Sequence, residues 1–165
     1  MSREPSVPAG SASGTSVDVP LARLMAMAYR SLVVSLHEEL VERGWRDVRP
    51  QYGYVLLACR ERPTTSGEVA TLLGVSKQAA SKLADAMVEA GLLLRRSSAQ
   101  DARAKPLVLS ARGRRLLATV EEVYADLEQG WVAIIGRRRL EALRSDLVRV
   151  VESGHGGSLP AVRPV

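Results

Sequence analysis

The sequence predicts a mainly α-helical chain with one small β-hairpin, built around two short helices joined by a tight turn. Three observations carry this. Thr65 to Leu92, TSGEVATLLGVSKQAASKLADAMVEAGL, reads as helix, turn, helix and glycine stop. Immediately after Gly91 the helical period gives way to two short strand-like runs. Long stretches with apolar residues at helical spacing flank this middle on both sides. At 165 residues with 46% hydrophobic content, the chain is one domain, or one domain with an attached helical module.

In chain order, Met1 to Val17 is rich in Ser, Pro, Gly and Ala and reads as a disordered tail. Asp18 as N-cap and Pro20 near the first turn open a long helix. Leu21, Leu24, Met25, Ala28, Leu32, Leu36 and Leu40 line one face, and Gly44 ends it. Pro50 opens a second helix, in which Tyr52, Val55, Leu56 and Cys59 share a face. Thr65 and Glu68 have the spacing of a capping box for the third helix. Gly74 suits the left-handed residue that ends it. Val75 is expected to plug the corner, and Ser76 to cap the fourth helix. That fourth helix has an apolar stripe of Ala80, Leu83, Ala84, Met87 and Val88. Its other face carries Lys77, Gln78, Ser81, Lys82 and Asp85.

Leu92–Arg96 and Lys105–Leu109 pair as a hairpin through the small, polar Ser97–Ala104. Pro106 should confine the second strand to a sheet edge, because it cannot donate to a ladder. A hairpin straight after a helix-turn-helix is the wing of a winged helix. Ser110 caps a long helix running to about Ile135, Gly136 breaks it, and a last helix ends near Gly154. The expected division is a tail over 1–18, an N-terminal dimerisation helix over 19–48, and a winged helix-turn-helix over 49–110. Dimerisation helices over 111–152 and a flexible tail over 153–165 complete it.

Charge placement narrows the function. Residues 60–115 hold eleven Lys and Arg against five Asp and Glu, a surplus of six, whereas the whole chain has +5. Clustered cations are the footprint of a nucleic-acid binder. Phe is absent and aromatics make up 4%, which favours duplex reading over base stacking on single strands. Amines, an amide and hydroxyls on the exposed face of the fourth helix are the groups that contact phosphates and base edges. A solvated face is the plainer alternative. The lone cysteine and two histidines form no zinc-ligand spacing, and no cofactor is expected. There is no nucleophile–base pair, P-loop or dinucleotide motif, so an enzyme is not expected. No apolar run is long enough for a membrane span and no signal-peptide segment stands at the start, so the expected location is cytoplasmic.

The order long helix, helix, helix-turn-helix, wing, long helix, terminal helix resembles the MarR family of bacterial transcriptional regulators over about Leu21–Val151. EVATLLGVSKQAASKLADAMVEAGLLLRR and DARAKPLVLSARGRRLL carry the likeness, above all the Asp-x-Arg of the wing and the Leu-Ser-x-x-Gly-Arg helix entry. The resemblance implies a homodimer on a pseudo-palindromic duplex, acting as a repressor relieved by a small, aromatic ligand. Carried onto this chain, the DNA contacts are Thr65, Ser66, Ser76, Lys77, Gln78, Ser81, Lys82, Arg95, Arg96, Asp101, Arg103 and Arg112. Arg103 would probe the minor groove while Asp101 braces the wing. The family's Asp-Pro-x-Asp-Arg-Arg is Ser98-Ala99-Gln100-Asp101-Ala102-Arg103 here, so one acid, a proline and one arginine are missing. Tyr29, His37, Trp45 and Tyr52 are the candidates for the ligand cleft. Cys59, near Arg60 and Arg62, is the candidate for redox sensing, with burial as the competing reading. A protein–protein adaptor that keeps the fold without reading DNA is the other alternative.

Overall fold

The computed structural model describes residues 18–96 and 105–164. It contains α1 (Leu21–Glu42), α2 (Pro50–Glu61), α3 (Ser66–Leu73), α4 (Lys77–Glu89), β1 (Leu93–Arg95), β2 (Leu107–Leu109), α5 (Ala111–Ile135) and α6 (Arg137–Ser153). The expected architecture is present, with differences at particular residues.

Asp18 does not cap α1. Pro20 is the N-cap, without a side-chain bond. A proline drives the residue before it into extended backbone, so the helix cannot begin early enough for Asp18 to reach its free N–H groups. In α3 the capping box is complete: Thr65 Oγ1 accepts from Glu68 N (3.2 Å) and Thr65 N donates to Glu68 Oε2 (2.7 Å). Gly74 ends α3 at φ 65°. Ser76 caps α4 by accepting from Ala79 N, and Ser110 caps α5 by accepting from Gly113 N. Val75 does not fill the corner; it is 38% exposed. Its N–H turns back to Ala70 O, which sets the bend and leaves the side chain outside.

The strands pair antiparallel, Leu93 with Leu109 and Arg95 with Leu107. Among the described residues the sheet has two strands, so β2 is an edge strand as Pro106 implies, with one isolated bridge on its outer side. Thr64 bridges Leu107 from the other side, its N–H donating to Leu107 O (3.0 Å) and its carbonyl accepting from Leu107 N (2.8 Å). The proline lies one residue before the strand, where only its carbonyl is needed, as acceptor for Arg96 N (2.8 Å).

The core joins Val55 and Leu56 of α2, Val69 of α3, Ala80, Ala84 and Met87 of α4, Leu93, Leu107 and Leu109 of the strands, and Leu116 and Val123 of α5. The apolar stripe of α1 is covered only in its second half: Leu36 and Leu40 are buried, Leu21, Leu24 and Met25 are exposed. α6 buries none of its residues. Among the described residues, no helix is long and apolar enough to cross a membrane.

Candidate nucleic-acid interface and ligand cleft

α4 is held by its apolar stripe, with Ala80, Ala84 and Met87 fully buried. The geometry of a helix then turns Lys77, Gln78 and Lys82 outward, and all three are exposed; Ser81 is half-buried beside them. Two alanine methyls under the helix let it seat close to the core. Ser76 is exposed at the N-terminus, where free N–H groups favour an anion. Ser66 and Thr65 are half-buried, and the Thr65 hydroxyl is engaged in the cap.

The hairpin is braced against α4. Arg95 of β1 forms an ion pair with Asp85, so this arginine has a partner already, while Arg96 is exposed. Arg112, in the first turn of α5, stacks its guanidinium over the Trp45 ring, 4.8 Å from the centroid. Asp101 and Arg103 lie outside the described residues. On α3, Glu68 accepts from Thr65 and pairs with Arg62 (2.6 Å). The backbone hydrogen bond from Thr65 first, and Arg62 second, hold its carboxyl below the usual carboxylate range.

A single joint fixes the end of α4 to the start of α5. Ser110 N donates to Leu92 O (3.1 Å). Its hydroxyl stands 2.6 Å from Gly91 O and 3.0 Å from Leu92 O, while also accepting the cap bond. Gly113 packs its Cα against the Leu92 carbonyl, where a Cβ would meet the oxygen at 2.1 Å.

A cavity of about 390 Å³ opens between α1, α2 and α5. Of the four expected cleft residues, Tyr29 and His37 line it. Trp45 and Tyr52 do not. Tyr52 is 4% exposed in the core, and Trp45 sits beneath Arg112 in the turn after α1. The sequence reading missed Arg49, Tyr54 and Tyr124, which do line it. The available signal was a second face on α2: Gly53, Tyr54 and Leu57 fall together opposite the buried stripe. The Tyr29 and Tyr54 hydroxyls hydrogen-bond at 3.0 Å. That bond first, then burial, push Tyr54 up to about 12, and burial raises Tyr124. His37 Nδ1 is 2.7 Å from Val33 O, a distance at which the ring N–H donates to the carbonyl.

Cys59 is buried, and burial pushes its thiol up, away from the reactive thiolate. The neighbouring Arg60 is taken up by Glu121 at 2.6 Å. Among the described residues, no cluster of three or more His, Cys, Asp or Glu is placed to hold a metal.

A helix-turn-helix with an outward polar second helix, a β-hairpin beside it and long helices around both defines a winged helix-turn-helix protein. Residues 46–104 match the MarR family model. None of the curated proteins compared matches the chain. Among solved structures, a point mutant of MepR from S. aureus bound to an oligodeoxyribonucleotide is 19% identical with a TM-score of 0.60, over 82% of this chain and 99% of that one. A mutant of MarR from E. coli is 23% identical, TM-score 0.66, over 80% and 96%. The transcriptional regulator Tm0710 from Thermotoga maritima is 22% identical, TM-score 0.66, over 84% and 98%. At these identities the likeness establishes the fold.

Proposed function

We propose that this chain is a duplex-DNA-binding transcriptional regulator that acts as a homodimer and represses until a small apolar ligand occupies the cleft. The observation that carries the reading is the outward face of α4, where Lys77, Gln78 and Lys82 are exposed over buried alanines. On this reading Lys77, Gln78, Ser81 and Lys82 contact the major groove, and Arg96 with Arg112 the phosphates; the helix-end hydroxyls of Ser66 and Ser76 assist. Arg103 enters the minor groove, held by Asp101. The exposed leucines and methionines at the start of α1, and the unburied α6, are the faces a second copy would cover. Two reading helices would then lie about one DNA turn, ~34 Å, apart. The MepR complex with an oligodeoxyribonucleotide, and a MepR structure with ethidium bromide bound, support DNA and a flat aromatic molecule as the two ligand classes. Ligand release of DNA requires that the ligand bind the DNA-incompetent form more tightly.

A gel shift on the DNA flanking the chain's own coding region, repeated across salt, tests this. Six to ten phosphate contacts make affinity fall on the order of 10³- to 10⁵-fold between about 50 and 200 mM salt. A flat salt response, or retention of no duplex, would favour an adaptor that does not read DNA. Sedimentation at micromolar protein tests the dimer.

A further inference from the structure

The chain beyond α6 turns back onto the body. Gly154 N donates to Val151 O (3.2 Å), and His155 N and Gly157 N to Glu152 O (3.0 and 2.9 Å). Gly156 and Gly157 take φ of 66° and 83°, which only glycine adopts freely. The segment this turn redirects reaches α2. Val162 stands in the wall of the cleft with Tyr54, Leu57 and Tyr124. Ala161 and Arg163, on either side of it, stand instead in a second cavity lined by Ala58 and Arg62. Leu57 and Ala58 are neighbours on α2, so three consecutive residues of the returning segment straddle that helix. The seat is shallow: Val162 keeps 62% of its exposure and Leu159 keeps 58%. Among the described residues, no hydrogen bond or ion pair ties 158–164 to the body.

We propose that residues 158–164 are a tethered strap lying across α2, which competes through Val162 with any small molecule entering the cleft. This rests on the cleft being a ligand site, as proposed above. The physics favours a weak, releasable closure. An aliphatic side chain at an apolar cleft gains from burial, but most of Val162 remains wet. Pro160 and Pro164 reduce the freedom lost on docking. A short flexible tether gives a local concentration of order millimolar, enough to populate even a poor contact. When the docked strap outnumbers the free one by about one- to fourfold, the apparent affinity of an entering molecule falls about two- to fivefold.

Two measurements test the strap. In full-length protein with labelled valine and leucine methyls, the Val162 methyls should shift away from random-coil positions and show cross-peaks to the Tyr54 and Tyr124 rings. Random-coil methyls without such cross-peaks would overturn the proposal. Second, anilinonaphthalene sulfonate is titrated while the Tyr54 and Tyr124 ring resonances are followed, so that only binding at the cleft counts. A chain stopped after Ser153 should bind it about two- to fivefold more tightly than the full chain. Val162→Asp should match the shortened chain, and Leu159→Asp should match the full one. Equal affinity of shortened and full chains sinks the strap alone. Absence of cleft binding in both sinks the ligand site, and with it the competition. Neither result bears on DNA reading, which the gel shift measures separately.

Discussion

Gly113→Ala should be the most damaging single-methyl change in the protein. The glycine is in the first turn of α5 and does not have a positive φ, so its backbone freedom is not the reason. The reason is contact. An alanine Cβ would lie 2.1 Å from Leu92 O, 3.1 Å from Leu92 C and 3.4 Å from Leu109 Cδ2. An ordinary carbon–oxygen contact needs roughly 1 Å more, and the atom in the way is backbone. Relief therefore requires α5 to move away from the Gly91–Leu92 segment. The same movement stretches the bonds of Ser110 N and Oγ to Leu92 and Gly91. Overpacking costs about 1–3 kcal/mol, and each lost hydrogen bond adds about 1 kcal/mol, so the expected loss is about 3–5 kcal/mol. At about 2–4 °C per kcal/mol for a chain of this size, Tm should fall by roughly 6–20 °C in a circular-dichroism melt. Gly130→Ala is the control: it is also inside α5, and nothing lies within 4 Å of the added Cβ. It should be neutral or stabilising by up to about 1 kcal/mol. A Gly113→Ala protein melting within about 2 °C of the unmodified chain, a shift of under 1 kcal/mol, would refute the contact argument.

Other outcomes follow from the site. Lys82→Ala should weaken binding to all duplexes alike and lower the salt slope by about one, whereas Gln78→Ala should relax preference at one base position; competition gel shifts separate the two. Thr65→Ala removes the α3 cap and should cost about 1 kcal/mol in denaturant unfolding. Glu68 is held below its ordinary value in the folded chain, so its contribution is present above the unfolded value and is lost as pH falls through the lowered one. Glu68→Gln should flatten that acid limb of a stability–pH curve. Tyr54 is raised to about 12 from 10.0, first by its bond to Tyr29; its contribution is present below the unfolded value and disappears as pH rises through the folded one. Tyr29→Phe should return the Tyr54 phenolate absorbance step towards 10.0.

The parts legible in the sequence were those decided within a few residues. The Thr65–Glu68 box, Gly74, Ser76 and Ser110 are local hydrogen-bond chemistry, and each is used as its spacing implies. The stripe of α4 fixed which side chains face out, because burial of Ala80, Ala84 and Met87 leaves only one orientation. What failed depended on distant partners. Nothing around Pro106 announces that Thr64 will bridge Leu107 from the other side. Tyr52 and Tyr54 are two apart and differ by about 200° around the helix, so one enters the core and the other the cleft. Choosing between them needs to know where α5 lies. Trp45 was drawn to Arg112, 67 positions later.

On the proposed function, α2 and the Ser110 joint together determine how an occupied cleft would act on α4. One face of α2 gives Val55, Leu56 and Cys59 to the core shared with the helix-turn-helix, and another gives Tyr54 and Leu57 to the cleft. Anything wedged against Tyr54 therefore pushes on a helix packed on α3. The restraints on that push are unequal. The Ser110–Gly113 joint is buried backbone contact and does not yield cheaply. The tie of α2 to α5 on the other side, Arg60 to Glu121, is an exposed ion pair, worth little and weakened by salt. A head displaced from the cleft side would keep the first and break the second, turning about the end of α4. An exposed pair makes that turn inexpensive in either direction, and the buried joint keeps it a rotation rather than a loosening.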